Sequence, residues 1–330
     1  MIAVCGENLI DMVPSEHESQ LFEACPGGCP YNSAIAAARL NVPTWFIGKT
    51  SNDFFGDKIV AKLQNSGVDI SLLKRSNQAV TLAFVQRDSF GNAQYAFYSA
   101  DAADRFLLPS DLPKALPQEC AFLLVGSISL MQEPCGSTIL RLIERESSKV
   151  LISFDPNIRA SLIGSKAEYR ERFEWVCRQS AIVKASDSDL EWVYEIPAEQ
   201  AAKKVLSLGP ELLALTCGER GAIVFTKSIR VEAPAVSVRV VDTIGAGDSF
   251  HAALLAALSW LKVHTRPDIA VLNHSQVRAV LRLATSVAAF DCTRRGAEPP
   301  TFRELSLFDP EAAKIAPGHI PTFNTKDQIC

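Results

Sequence analysis

Short apolar runs alternate with stretches of helical period along most of this chain. Ile2–Cys5, Thr44–Ile47, Phe122–Val125, Val150–Phe154, Ile182–Val183 and Leu212–Leu215 are apolar runs of strand length. Between them lie Pro30–Leu40, Phe55–Ser66 with Gly67 behind it, Cys135–Ser147, Ser188–Tyr194 and Ala198–Leu208, which read as helices. Such a βαβα succession predicts a mostly parallel sheet with helices on both faces. Near the end, Ile223-Val224-Phe225 reads as a strand, Val236–Val241 as an extended segment and Gln276–Phe290 as a long helix.

Two regions break the alternation. Residues 14–29 hold no long apolar run. Residues 81–99 read as a hairpin: Leu82-Ala83-Phe84-Val85, a turn at Asp88–Asn92, then Gln94–Tyr98. These pieces predict a small β lid, with an antiparallel extension of the main sheet as the alternative. The expected division is an α/β core of residues 1–13, 32–80 and 100–310, a lid of 14–31 and 81–99, and a peripheral tail of 311–330. No internal repeat is visible.

Composition narrows the function. Apolar residues make up 48% and charged residues 21% of 330 positions, ordinary for a globular protein. A net charge of −4, with no basic run, gives no general attraction to nucleic acid. No apolar run is long enough to span a bilayer, and Met1–Gly6 lacks the basic start and cleavage site of a signal peptide. The nine cysteines show no paired C-x-x-C spacing, so reduced thiols and a cytoplasmic location are expected.

The most informative string is Asp242-Thr243-Ile244-Gly245-Ala246-Gly247-Asp248, which opens onto the Ala/Leu-rich stretch from Ser249 to Leu255. A small-residue turn at a helix start presents backbone N–H groups to an anion. Gly245 and Gly247 let the backbone approach a phosphate closely. An acid beside such a turn repels a resting phosphate but suits proton removal from a hydroxyl that attacks it. Other segments read alone stay ambiguous. Asp11 follows the first strand, at a ligand-binding sheet edge or in a solvated loop. Pro26-Gly27-Gly28-Cys29-Pro30-Tyr31-Asn32 is a helix start. Asp155-Pro156-Asn157-Ile158-Arg159 carries an Arg suited to phosphate oxygens, a sugar hydroxyl or a surface ion pair.

Taken in order, these strings resemble the ribokinase-type (PfkB) carbohydrate kinases over roughly residues 1–305. The resemblance implies a ribokinase-like three-layer α/β/α core with a mostly parallel sheet and a small β lid. It implies a sugar pocket from Asp11, Gly27, Gly28, Asn32, Phe97, Asn157, Arg159 and Asp248. Lys184, Ser186, Thr216, Gly218 and Gly221, with Gly245 and Gly247, would serve ATP. Asp248 would be the general base, and the Gly245, Ala246 and Gly247 amides the anion hole. Asp189 would reach Mg²⁺ through water, although Ser186 and Asp189 equally suit a helix cap, and Asp242 would join carbonyls after Cys292 at a K⁺ site. Departures are Ser51 for a glycine, Asp189 for a glutamate, His251 for an asparagine, Ala253 for a glycine, and Pro300 where some relatives carry a cation-binding serine.

Within that family G-E-x-L-I-D, A-F-Y near position 97, D-P-N-I-R and V-K-A-S-D look most like bacterial fructokinases. The expected reaction is ATP plus D-fructose to ADP plus fructose 6-phosphate, in a homodimer joined through the lids. Alternatives are a kinase for 2-keto-3-deoxygluconate, ribose or another sugar, and a sugar-binding pseudokinase without turnover. A phosphosugar would need basic groups such as Lys49, Arg87 and Arg105 at the pocket.

Overall fold

The chain is described from a computed structural model covering residues 1–15, 21–87 and 93–317. The turn expected at Asp88–Asn92, the side chain of Arg87, and the tail from 318 onward lie outside the described residues. The strands in chain order are β1 (Ile2–Cys5), β2 (Leu9–Pro14), β3 (Phe22–Gly27), β4 (Thr44–Ser51), β5 (Leu73–Ser76), β6 (Thr81–Arg87) and β7 (Ala93–Tyr98). They continue as β8 (Phe122–Gly126), β9 (Leu151–Asp155), β10 (Ile182–Ser186), β11 (Leu212–Thr216), β12 (Ala222–Thr226) and β13 (Arg230–Ala233).

Nine strands form one sheet in the order β13-β12-β11-β10-β9-β8-β1-β4-β5. The pairs from β5 to β11 are parallel, and β12 and β13 add an antiparallel edge. Alternate side chains feed two cores, as period 2 demands. Ile2, Val4, Phe122, Leu124, Ile182 and Leu212 pack on one side, with residues from Cys29–Arg39, Ala246–Trp260 and His274–Asp291. Ala3, Leu123, Val125, Ile152, Val183 and Leu213 pack on the other, with residues from Cys135–Glu146, Lys166–Gln179 and Ala198–Leu208. This is a three-layer α/β/α core.

A second sheet, β3-β2-β6-β7, stands apart from it. β6 and β7 pair antiparallel, as the hairpin reading requires, and β3 pairs antiparallel with β2. Leu9–Pro14 runs in this small sheet rather than the core, so Asp11 sits on a strand and not in a loop past β1. Leu9 and Ala83 are buried beside Tyr95 and Phe97, whereas Phe22 and Tyr98 are exposed.

The segment expected to be extended, Val236–Val241, joins neither sheet, and Val240 and Val241 are more than half exposed. This segment has no sheet partner; the N–H of Val241 instead donates to Cys292 O at 2.8 Å. The first part of the expected tail is helical at Pro310–Ala313, with Ala312 and Ala313 buried and Asp309 paired with Arg282. All eight described cysteines are free thiols. No helix among the described residues is long and apolar enough to cross a membrane.

Candidate active site

The carboxyl ends of β1, β8, β9 and β10 converge with the start of the Ala246–Trp260 helix, as expected for an open parallel sheet. A cavity opens there, roofed by the small sheet. Of the residues singled out from sequence, Asp11, Gly28, Asn32, Phe97, Asn157 and Arg159 line it. So do Lys184, Gly245, Gly247 and Asp248. Segments more than 200 positions apart in the chain thus meet at one place.

Asp248 lies in the first turn of its helix and is 6% exposed. Asn32 Nδ2 donates to its Oδ2 at 2.8 Å, and Ser33 Oγ donates to its main-chain oxygen at 3.3 Å. Burial raises its pKa to about 7, against the lowering effect of the Asn32 bond. Asp11 is also raised to about 7, by burial first, with Arg159 pulling the other way. Gly27 is required by Asp11: a Cβ there would stand 2.1 Å from Asp11 Oδ2.

The turn before Asp248 depends on glycine. Gly245 has φ +83°, the left-handed region, and a Cβ on it would lie 2.5 Å from Ala297 Cβ. No side chain caps the helix. The Ala246 N–H donates to Thr243 O at 3.3 Å, and Ala246 does not line the cavity, so Gly245 and Gly247 are the anion-hole candidates that border it. Asp242 is 5% exposed and braces the turn. Its Oδ1 accepts from Thr243 and Ile244 N–H at 2.8 and 3.2 Å, and its Oδ2 from Gly296 N–H at 3.1 Å.

The remaining candidates sit along the neighbouring strand ends, outside the cavity. Ser186 caps Asp187–Tyr194, and Asp189 closes a capping box with it. Asp189 Oδ2 accepts from Ser186 N–H at 3.0 Å and its Oδ1 from Ile158 N–H at 2.9 Å, tying the β9 loop to β10. Thr216 Oγ1 donates to Ala185 O at 3.4 Å, and Gly218 and Gly221 turn the chain into β12.

Sequence reasoning gave no role to several residues that shape the site. Glu7 is 2% exposed, accepts from Cys29 N–H and Ser129, and is raised in pKa by burial. Tyr95 lines the cavity, with the Arg159 guanidinium 5.4 Å from its ring centre. Asp155, fully buried, pairs with Lys184 Nζ at 2.9 Å. Glu7 and Asp155 stood within quoted strings, but a partner more than 20 positions away carries no local signal. One ligand atom each of Cys29, Asp155 and Asp248 lies within 4.8 Å of the others. The Lys184 ammonium, 2.9 Å from Asp155 Oδ2, supplies positive charge beside this cluster. His251 is fully buried, with Nε2 2.6 Å from Ser153 Oγ, and does not line the cavity.

Comparison with known proteins agrees with this fold. The model of the pfkB family carbohydrate kinases matches residues 1–302. A fructokinase of Rhizobium leguminosarum bv. trifolii is 38% identical over 281 residues, covering 84% of this chain and 86% of the relative. A probable fructokinase of Arabidopsis thaliana is 36% identical, covering 93% and 91%. Among solved structures, a sugar kinase from Pyrococcus horikoshii in complex with ATP superposes with TM-score 0.82 at 28% identity, over 96% of this chain and all of that one. A Vibrio cholerae fructokinase bound to fructose, ADP and calcium gives 0.82 at 27%, over 93% and 98%. The core and small sheet are therefore the ribokinase-like fold, and this chain belongs to the pfkB family of carbohydrate kinases, which are sugar phosphotransferases.

Proposed function

We propose that the protein is an ATP-dependent fructokinase that converts D-fructose to fructose 6-phosphate. The observation that carries this is the buried Asp248 carboxylate, held by Asn32 beside an uncapped glycine turn in the same cavity as Asp11. Fructose is favoured by the curated relatives named above. The basic groups that a phosphosugar would call on are engaged elsewhere: Lys49 pairs with Asp111, Arg105 donates to Glu133 O, and neither lines the cavity.

In this reading Asp11 accepts sugar hydroxyls, Asn32 fixes Asp248, and Tyr95 and Phe97 cover the ring. Asn157 holds Arg159, whose Nη1 lies 2.6 Å from Asn157 Oδ1. ATP lies along Ser186, Thr216, Gly218 and Gly221, with its γ-phosphate at the Gly245–Gly247 turn. Asp248 takes the proton of the attacking hydroxyl. Mg²⁺ would neutralise charge on the ATP phosphates. Asp189 and Asp242 each hold backbone N–H groups, so they suit a metal through water rather than directly.

Three checks follow from this reading. In a coupled ADP-release assay over a sugar panel, fructose should give the highest kcat/KM. A clearly higher value for ribose or 2-keto-3-deoxygluconate overturns the substrate assignment, and no turnover of any sugar supports a pseudokinase. If K⁺ is held by Asp242 and the carbonyls after Cys292, exchanging Tris⁺ for K⁺ raises kcat several-fold; an unchanged rate removes the site.

The third concerns assembly. The outer face of the small sheet carries Phe22, Phe84 and Tyr98 in edge contacts at 5.2 and 5.5 Å. Phe22 is 42% and Tyr98 65% exposed. A contiguous exposed aromatic stripe of this kind marks a contact surface, so we assign it to pairing of two lids in a homodimer. Sedimentation should give a dimer that Tyr98→Glu dissociates. A monomeric parent contradicts the pairing.

A further inference from the structure

Lys184 is the one cation brought to the glycine turn from inside the core among the described residues. In β10 it shares a face with Ile182, toward the Ala246–Trp260 helix. Its side chain is 5% exposed, with Nζ 2.9 Å from Asp155 Oδ2. A methyl group added to Gly247 would stand 3.0 Å from that Nζ, so the ammonium touches the turn that precedes Asp248. Removing both members of a buried ion pair together is often neutral for stability, so folding alone is a weak reason for this one.

The surroundings fix the ammonium without using it up. Asp155 Oδ1 accepts from Asn157 N–H at 3.2 Å, and His251 Nδ1 lies 3.9 Å from Oδ2. An ammonium has three N–H donors, and Asp155 accepts one. Burial lowers the Lys184 pKa, but the adjoining Asp155 carboxylate more than offsets this and the net shift is upward, so the group is charged at neutral pH. Arg159, the other cation lining the cavity, is held by Asn157 and lies over Tyr95.

We propose that Lys184, positioned by Asp155, is a catalytic cation that donates to the phosphoryl group in flight between ATP and the sugar. This rests on the kinase reading above. In that step the sugar hydroxyl oxygen bonds to the γ-phosphorus while the bond from phosphorus to the β,γ-bridging oxygen breaks. The bond's electron pair leaves on ADP, and the hydroxyl proton passes to Asp248. Lys184 exchanges no proton. Its charge counts most as charge spreads over the equatorial oxygens, so it should act on kcat rather than on ATP binding.

Lys184→Met alone strands a buried carboxylate and threatens folding. The main test is therefore the double variant Lys184→Met with Asp155→Asn, which removes both charges, with Lys184→Gln alongside to keep a donor to Asp155. The double variant is expected to unfold near the parent temperature and Lys184→Gln below it, and both, assayed where they are folded, to lose ~10²–10³-fold in kcat with the KM for ATP changed less than about threefold. In the parent, aluminium fluoride added with Mg²⁺ and fructose should tighten ADP binding, and both variants should lose that tightening while binding ADP alone as before. A folded variant with kcat within about fivefold of the parent overturns the role, as does equal loss of ADP binding with and without aluminium fluoride. Parent turnover of sugar in the same assay separates the two readings. An inactive parent overturns both, whereas an active parent with unimpaired variants overturns only the role of Lys184.

Discussion

Asp248→Asn is expected to lower kcat by ~10²–10⁴-fold while leaving the binding of fructose and ATP largely intact, because the amide keeps the shape and the Asn32 contact but cannot take a proton. The pH dependence carries the same signature. The carboxylate acts ionised, and burial raises its pKa to about 7, so kcat/KM should fall roughly tenfold per pH unit below that value. Asp11 is raised to about 7 as well and accepts hydroxyls best when ionised, so the parent slope should approach two decades per unit. Asp11→Asn should return it to about one.

Stability should move the opposite way from activity. A carboxyl whose folded pKa lies above its unfolded value weakens the fold as pH rises from about 4 toward 7, and fully so above 7. Asp248→Asn should therefore raise Tm at pH 8 by more than at pH 4. A variant that loses activity and also melts earlier at pH 8 would point to a damaged fold rather than a missing base. Near-full kcat would remove the base assignment.

Asp11→Ala is expected to raise the KM for fructose by about 10²-fold with little change in the KM for ATP. Asp11 is one of the acids lining the cavity, far in sequence from the strand ends assigned to ATP. A carboxylate accepting two sugar hydroxyls contributes about 1.5–3 kcal/mol per bond, and one such bond already accounts for a factor of ten to a hundred. Truncation also frees the space beside Gly27 that Asp11 Oδ2 fills, so the loss is of contact and not of backbone geometry. Asn32→Ala should act on fructose in the same direction and on kcat too, since it releases Asp248. Equal effects on both substrates would place the sugar elsewhere. Measured initial rates over both substrates at pH 8 decide this.

Much of the architecture was legible because the parallel strands are buried on both faces and therefore read as continuous apolar runs. The glycine turn was legible because small residues, acids and an apolar helix follow one another in the chain. That Val236–Val241 joins no sheet was not legible, because a Val-rich run looks the same whether or not a strand edge is free to pair with it. Asp242 was read for its charge, yet it holds backbone N–H groups, a use that acid residues share with metal ligation; the helix cap at Ser186 and Asp189 was legible because its partners lie three residues apart. Glu7, Tyr95 and Asp155 acquire their places only when distant segments cross at the sheet edge. Cys29 shows the same limit: its thiol lines the cavity beside two buried aspartates, and no spacing rule announces that.

The central claim is phosphoryl transfer from ATP to a sugar hydroxyl with Asp248 as base. The most direct measurement is the product of purified parent protein and Asp248→Asn, incubated with ATP, Mg²⁺ and fructose and read by phosphorus NMR. The account predicts stoichiometric ADP and fructose 6-phosphate from the parent, and neither from Asp248→Asn on the same timescale. Inorganic phosphate in place of the sugar phosphate, or equal product from both proteins, would contradict it.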